Sequence, residues 1–305
     1  MSTGQNRNGL LNDPRILAGV AGGLVSAVAA LSAFRGLPMG LGLFWLSPLP
    51  LFLSGLAFGH AAAGIAVATG AAALFVTSPG VLPVLLWLAL YGLPALVLLH
   101  LGLGGNPLRI ATTLPLVMLG LWPAGLTLLA AFLAADQGGM EGALRASVEL
   151  GLARMGGDMP QGMADQIVQL MPAALALWFG LALVANAAAA QGFLQRRGLA
   201  LAAAPGWREA RLPNWYPALP ALAGLAWLLS GDSLLLMSLC LVLAVPLLLQ
   251  GLAAMHRRLA NFSGRLPLLI LLYVLILVFS LPGALILVAL GLLEQYGRRN
   301  PPANM

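Results

Sequence analysis

Four side chains in this chain have the chemistry to hold a small molecule inside a membrane: Trp178, Asn186 and Gln191 along one apolar run, and His60 at the junction of two others. An amide within a span is costly unless paired, so Asn186 requires a partner helix, a cavity or water. Catalytic chemistry finds little to work with. No Asp, Glu or Lys lies well inside an apolar run, so the intramembrane carboxylate usual in proton-coupled pumps is missing. The three histidines, His60, His100 and His256, stand apart in the sequence near the ends of apolar runs, without metal-ligand spacing. Walker A, HExxH and GxSxG motifs and paired catalytic carboxylates do not occur. The expectation is a protein that is not an enzyme, with no catalytic residue, no metal and no cofactor. Arg196, Arg197, Arg257 and Arg258, with the pair Arg298-Arg299, could hold anionic lipid headgroups at about 1 kcal/mol per charge, or simply mark topology.

The elements that must position these residues follow from composition. Sixty per cent of residues are hydrophobic and 8% charged, with a mean hydropathy of +0.94, far from the roughly 25% charged residues of a soluble domain. The apolar runs are continuous rather than alternating, which excludes a transmembrane barrel. All 15 basic residues are arginine and lie almost wholly between the runs, so the net charge of +6 reads as topology and not as nucleic-acid binding. Cys240 is the single cysteine, within an apolar run, and is read as packing. The fold class expected is all-α, a polytopic transmembrane helical bundle of 8 to 9 spans with several proline-kinked helices and one amphipathic surface helix.

Along the chain, a polar tail over 1–14 precedes an uncleaved first helix containing Gly19 and Gly23 in GxxxG spacing. The stretch 43–70 then packs about two crossings around Gly59-His60. Pro48 and Pro50 remove backbone donors there, so the carbonyls they free must be satisfied by neighbouring helices or a water-lined cavity. Gly55, Gly59 and Ala63 would form one small-residue face if that helix were continuous. In the acidic segment 135–165, Met140, Leu144, Val148, Leu152 and Met155 make an apolar stripe beside the ladder Glu141, Arg145, Glu149, which predicts an amphipathic helix. Arginine-rich loops at 195–213 and 255–265 complete a transmembrane domain over 15–293, with a tail over 294–305. Trp215 and Tyr216 between Pro213 and Pro217 mark a membrane interface. The last run, 266–293, is either one long kinked helix or two short segments divided at Pro282-Gly283.

With a cytoplasmic N-terminus and one crossing per run, Arg109 and both arginine-rich loops fall inside while 135–165 and Asp232 fall outside. Arg35 and the tail carrying Arg298 and Arg299 disagree. The tail returns inside if the last run is a hairpin or if one earlier run fails to cross.

The Pro-rich second helix, the junction LPLFLSGLAFGHAAAGIAVATG, Gln250 with His256 after a late span, and the ending ALGLLEQYGRR resemble the bacterial membrane family DUF2232, or YybS-like proteins, over most of the chain. Glu294 stands where an aspartate is often expected. The resemblance implies a multi-pass protein of the bacterial cytoplasmic membrane with no assigned activity. Phe58-Gly59 followed by Gly64 and Gly70 is similar to the opening of S components of energy-coupling-factor transporters. That likeness implies a small-molecule-binding permease-like subunit in the bilayer, with an ATPase or other membrane subunit as partner. In that case Trp178, Asn186, Gln191 and His60 line the site, closed by the 140–155 helix. The alternative is an accessory or scaffold protein that organises partners, without transport, through its arginine-rich loops or its GxxxG faces.

Overall fold

The computed structural model describes residues 12–155, 162–206, 210–231, 233–278 and 280–297. The ends at 1–11 and 298–305, and with them Asp158, Arg208, Glu209, Asp232, Arg298 and Arg299, lie outside the described residues. The fold is all-α, as its composition demands. Seven helical segments among the described residues are long and apolar enough to cross a membrane, and three shorter apolar helices accompany them. The chain forms two compact units, residues 1–111 with 179–205 and residues 112–178 with 206–305.

In the first unit α1 (Pro14–Phe34) begins at Asp13, whose carboxylate accepts from the Arg15 amide at 2.9 Å, with Pro14 at the first helical position. A Cβ on Gly19 would come within 2.8 Å of Ala62 O, and one on Gly23 would collide with Ala66 O. The Gly19/Gly23 face is therefore a close crossing with α4 (His60–Thr77). Between them run α2 (Gly40–Leu46) and α3 (Pro48–Phe58), which the membrane-span length of 19 residues joins into one crossing. Gly59, at φ 86°, ends α3 and starts α4. That turn corrects the proposed Gly55–Gly59–Ala63 face, because a left-handed residue cannot sit inside a continuous helix. Gly55 instead receives the Leu99 side chain.

Next come α5 (Leu82–Trp87), a π-helical turn over Leu88–Gly92 and α6 (Leu93–Gly102). Pro94 cannot donate to the carbonyl of Leu90, and the turn before it widens so that the Leu93 amide bonds Leu88 O. A short ladder of Leu103–Gly104 with Arg109–Ile110 follows.

The second unit holds α7 (Thr113–Leu133), α8 (Gly139–Met155), α10 (Ala218–Ser230), α11 (Leu234–Arg258), α12 (Arg265–Val278) and α13 (Ser280–Gly297). The long helix α9 (Met163–Arg196) supplies its first half here and its second half to the first unit. Ala124, Ala176, Val242, Leu243 and Val245 form the buried core. The amphipathic helix expected over 135–165 is α8, with Met140 and Val148 buried and Glu141 and Glu149 exposed. Arg145 pairs with Glu141 at 3.2 Å and, from the start of α9, with Asp165 at 2.7 Å. These hydrogen bonds, Asp165 first, hold the Arg145 guanidinium above its ordinary basicity.

Of the two aromatic residues expected at a membrane interface, Tyr216 packs inside the protein. Its ring is fully buried and its hydroxyl donates to Leu243 O at 3.0 Å, filling the space left by Gly120, whereas Trp215 stays exposed.

The last apolar run is a hairpin. A Cβ on Gly283 would stand 3.1 Å from the Ile276 Cα, whereas seven residues of straight helix rise about 10.5 Å. At the crossing of α11 and α13, Gly251 faces Leu287 and Gly291 while Gly291 faces Leu247. Further on, Arg257 and Arg258 meet Glu294 in the last turn of α13. The contacts advance in the same order on both helices, so α13 runs parallel to α11 and α12 is the return.

Candidate functional site

Pro48 and Pro50 cannot donate to Phe44 O and Leu46 O, the helix breaks between α2 and α3, and side chains of the first unit meet the neighbouring carbonyls of Trp45 and Ser47. The Ser47 amide bonds Phe44 O at 3.0 Å. Asn186 Nδ2 donates to Trp45 O at 2.8 Å and to Ala182 O, one turn back on its own helix, at 2.7 Å. Ser26 Oγ donates to Ser47 O at 2.7 Å, and the two serine hydroxyls lie 2.9 Å apart. Onto this pair Trp87 Nε1 donates, at 2.9 Å to Ser47 Oγ and 3.2 Å to Ser26 Oγ. Its indole is held in turn against Gly70 and Gly92, where a Cβ would come within 2.6 and 3.0 Å of the ring. A buried polar network this well satisfied rigidifies the break rather than leaving it open.

One turn beyond Trp87, on the π-helical turn, Tyr91 is fully buried. Its ring meets Phe44 edge-on at 4.8 Å between centroids and Phe179 at 5.4 Å. Its hydroxyl has no hydrogen-bond partner among the described residues, a state shared only with the hydroxyls of Ser78 and Ser238. An unpaired buried hydroxyl costs about 1 to 3 kcal/mol, so its retention asks for a reason.

The four residues proposed from the sequence are dispersed in role. Asn186, 1% exposed, ties the helix break, and Gln191, 2% exposed, donates to Ala202 O at 2.7 Å and anchors the loop after α9. Trp178 belongs to the second unit and is 56% exposed. His60 is exposed at the head of α4, and its ring centre lies 5.3 Å from that of His100. The histidines are thus not all isolated, because the fold closes 40 residues of chain between these two. His256 Nε2 is likewise 2.8 Å from the Tyr273 hydroxyl.

The second unit contains another polar centre. Gln250 Oε1 accepts from the Leu212 amide at 2.7 Å, and its Nε2 donates to Gly291 O at 2.8 Å and Gln295 Oε1 at 3.2 Å. Gln295 Nε2 then donates to Leu212 O at 2.9 Å and Asn214 Oδ1 at 3.0 Å. Beside it Glu294, 7% exposed, takes Arg257 at 2.6 Å and Arg258 at 3.4 Å. Arg257 and Arg258 are therefore engaged within the protein, while Arg197 lies over the Phe193 ring at 5.6 Å and Arg196 is exposed. Gln250 of the late span and Glu294 and Gln295 of the ALGLLEQYGRR ending meet here, whereas His256 turns to Tyr273.

A family model described as "Predicted membrane protein (DUF2232)" matches residues 24–294. The chain belongs to the DUF2232 family. The match takes in the broken helix, the Tyr91 turn and, from the second polar centre, Gln250 and Glu294 of this DUF2232 protein. No curated protein and no solved structure matches the chain. Sequence reasoning missed Ser26, Ser47, Trp87, Tyr91 and Asn214. Serines inside apolar runs were the available signal, but serine commonly satisfies itself on its own helix, as Ser32 does here on Ala29 O at 2.7 Å.

Proposed function

We propose that this DUF2232 protein is a small-molecule-binding, permease-like membrane subunit whose site lies in the first unit at Tyr91. The observation that carries the reading is the buried, unpaired Tyr91 hydroxyl between Phe44 and Phe179, on a π-helical turn beside a broken helix. Broken helices and π-turns at membrane depth are recurrent places for ligands. Aromatic walls with one hydroxyl suit a compact, largely apolar molecule bearing a hydrogen-bond acceptor. Asn186 then acts as the residue that holds the break in shape, not as a ligand contact. Small-molecule mass spectrometry of the purified chain tests this. A metabolite retained in stoichiometric amount supports it, and an extract containing lipids alone contradicts it.

A second reading, an accessory protein that organises membrane partners, draws on the internal commitment of Asn186 and Gln191 to backbone carbonyls. It predicts co-purification with a stable partner and no metabolite.

For orientation we propose the bacterial cytoplasmic membrane with both termini in the cytoplasm. The α12–α13 hairpin returns the C-terminal end to the side of Arg257, Arg258 and Arg265, which removes one of the two exceptions to the arginine pattern. Arg35 remains on the opposite side, where its Nη2 donates to Thr77 O at 3.2 Å, at the C-terminal end of α4.

A further inference from the structure

The chain has three histidines, and two of them meet. His60 is the first residue of α4, directly after the left-handed Gly59, and His100 stands in the last turn of α6. Their approach is fixed by packing beneath them. Leu99, next to His100, is buried in the space left by Gly55 one turn before the Gly59 bend, close to where Ala63 approaches from the other side. Both imidazoles are exposed, so each can turn about its side-chain bonds without disturbing the core.

We infer that His60 and His100 form a binding site for a borderline divalent transition-metal cation of the zinc, cobalt or nickel class. The separation is the argument. With about 2.0 to 2.1 Å from metal to imidazole nitrogen and about 1.1 Å more to the ring centre, two imidazoles on a tetrahedral ion have centres about 5.2 Å apart. The observed centroids are 5.3 Å apart with the planes tilted by 61°. The separation thus matches that of two imidazoles sharing an ion, and side-chain rotation has to bring one nitrogen of each ring to about 3.3 Å from the other. The carbonyl end of α6 favours a cation beside His100 while the amide end of α4 opposes it beside His60, so the two helix ends offset and the imidazole nitrogens carry the affinity. Among the described residues no third His, Cys, Asp or Glu joins the pair, so water completes the coordination. The preference is for imidazole-seeking metals over magnesium or calcium, which require oxygen ligands. A bound ion would tie the α3–α4 bend to the end of α6. This site is independent of Tyr91 and does not rest on the proposed transport role.

The test is metal titration of the full chain, purified in detergent without a polyhistidine tag, using zinc for stoichiometry and cobalt for its tetrahedral absorption bands. The wild type is expected to bind one ion per chain at tens of micromolar metal or below. His60→Gln and His100→Gln should each weaken binding at least tenfold, whereas His256→Gln should leave it unchanged. Elution on gel filtration verifies the fold of each variant, and the cobalt spectrum of the wild type gives a readout that needs no variant. Absence of cobalt bands and of stoichiometric zinc in the wild type overturns the inference. So does binding by His60→Gln equal to the wild type.

Discussion

Replacing Asn186 by leucine removes the amide that joins α9 to the break between α2 and α3. The amide donates to Trp45 O at 2.8 Å from a position 1% exposed, so its loss leaves a carbonyl inside the unit with no amide to meet it. A carbonyl stranded in this way costs about 1 to 3 kcal/mol, while hydrogen bonds between helices in membranes average about 0.6 and reach about 1.7 kcal/mol. The two figures bracket an expected loss of about 1 to 2 kcal/mol, or roughly 1.5 to 3 °C in Tm for a chain of this size. The assay is thermal unfolding of the purified protein in one fixed detergent.

The sharper form of this prediction is a double-mutant cycle. Pro48→Ala with Pro50→Ala restores the two backbone donors and lets the turn regain its helical ladder. In that background Asn186→Leu should cost less than half as much, because a ladder made continuous through residues 48 and 50 brings the Leu49 amide to Trp45 O. Strictly additive losses, or an Asn186→Leu chain as stable as the wild type, would refute the argument that the amide serves the proline break.

Other substitutions follow from the same contacts. Tyr91→Phe should raise the stability of ligand-free protein by about 1 kcal/mol, because it removes an unpaired buried hydroxyl; a fall in Tm of several degrees would show that the hydroxyl is satisfied. Gly291→Ala should lower stability by about 1 to 3 kcal/mol, since its Cβ overlaps Leu247 O at the α11–α13 crossing, and the same denaturation series measures it. Glu294→Gln should destabilise by about 1 to 3 kcal/mol through two arginines losing one buried carboxylate, a figure held down by Arg258 being 53% exposed. Arg145→Ala should leave Tm unchanged at 150 mM salt, because its partners Glu141 and Asp165 are as open to solvent as it is.

The need at each end of the Asn186 contact was legible in the sequence, but the contact itself was not. Pro48 and Pro50 announce a break that leaves carbonyls near Ser47 without helical donors, and Asn186 announces an amide in search of a partner. Nothing local says that residues 141 positions apart answer one another. Gly19 and Gly23 were readable because the i, i+4 spacing of small residues lies on one helix face whatever it packs against. Gly59 misled for the opposite reason, since spacing carries no record of a positive φ. The stripe of α8 was visible at full length, whereas the partner of Arg145 in α9 was not, because Asp165 lies beyond the helix whose periodicity drew attention. Gln250 and Glu294 stood in quoted segments without roles, and their roles appear only when α13 lies parallel to α11. Tyr91 and the histidine pair left no trace in the pattern, being products of tertiary closure alone.

The most direct measurement of the central claim is native mass spectrometry of the wild-type chain and Tyr91→Phe, each released from the same detergent and followed by extraction of whatever is bound. The account predicts a discrete small-molecule adduct on the wild type that is lost or strongly reduced in Tyr91→Phe, although the variant is the more stable protein when empty. Identical spectra for the two chains, with lipid as the sole adduct, would contradict it.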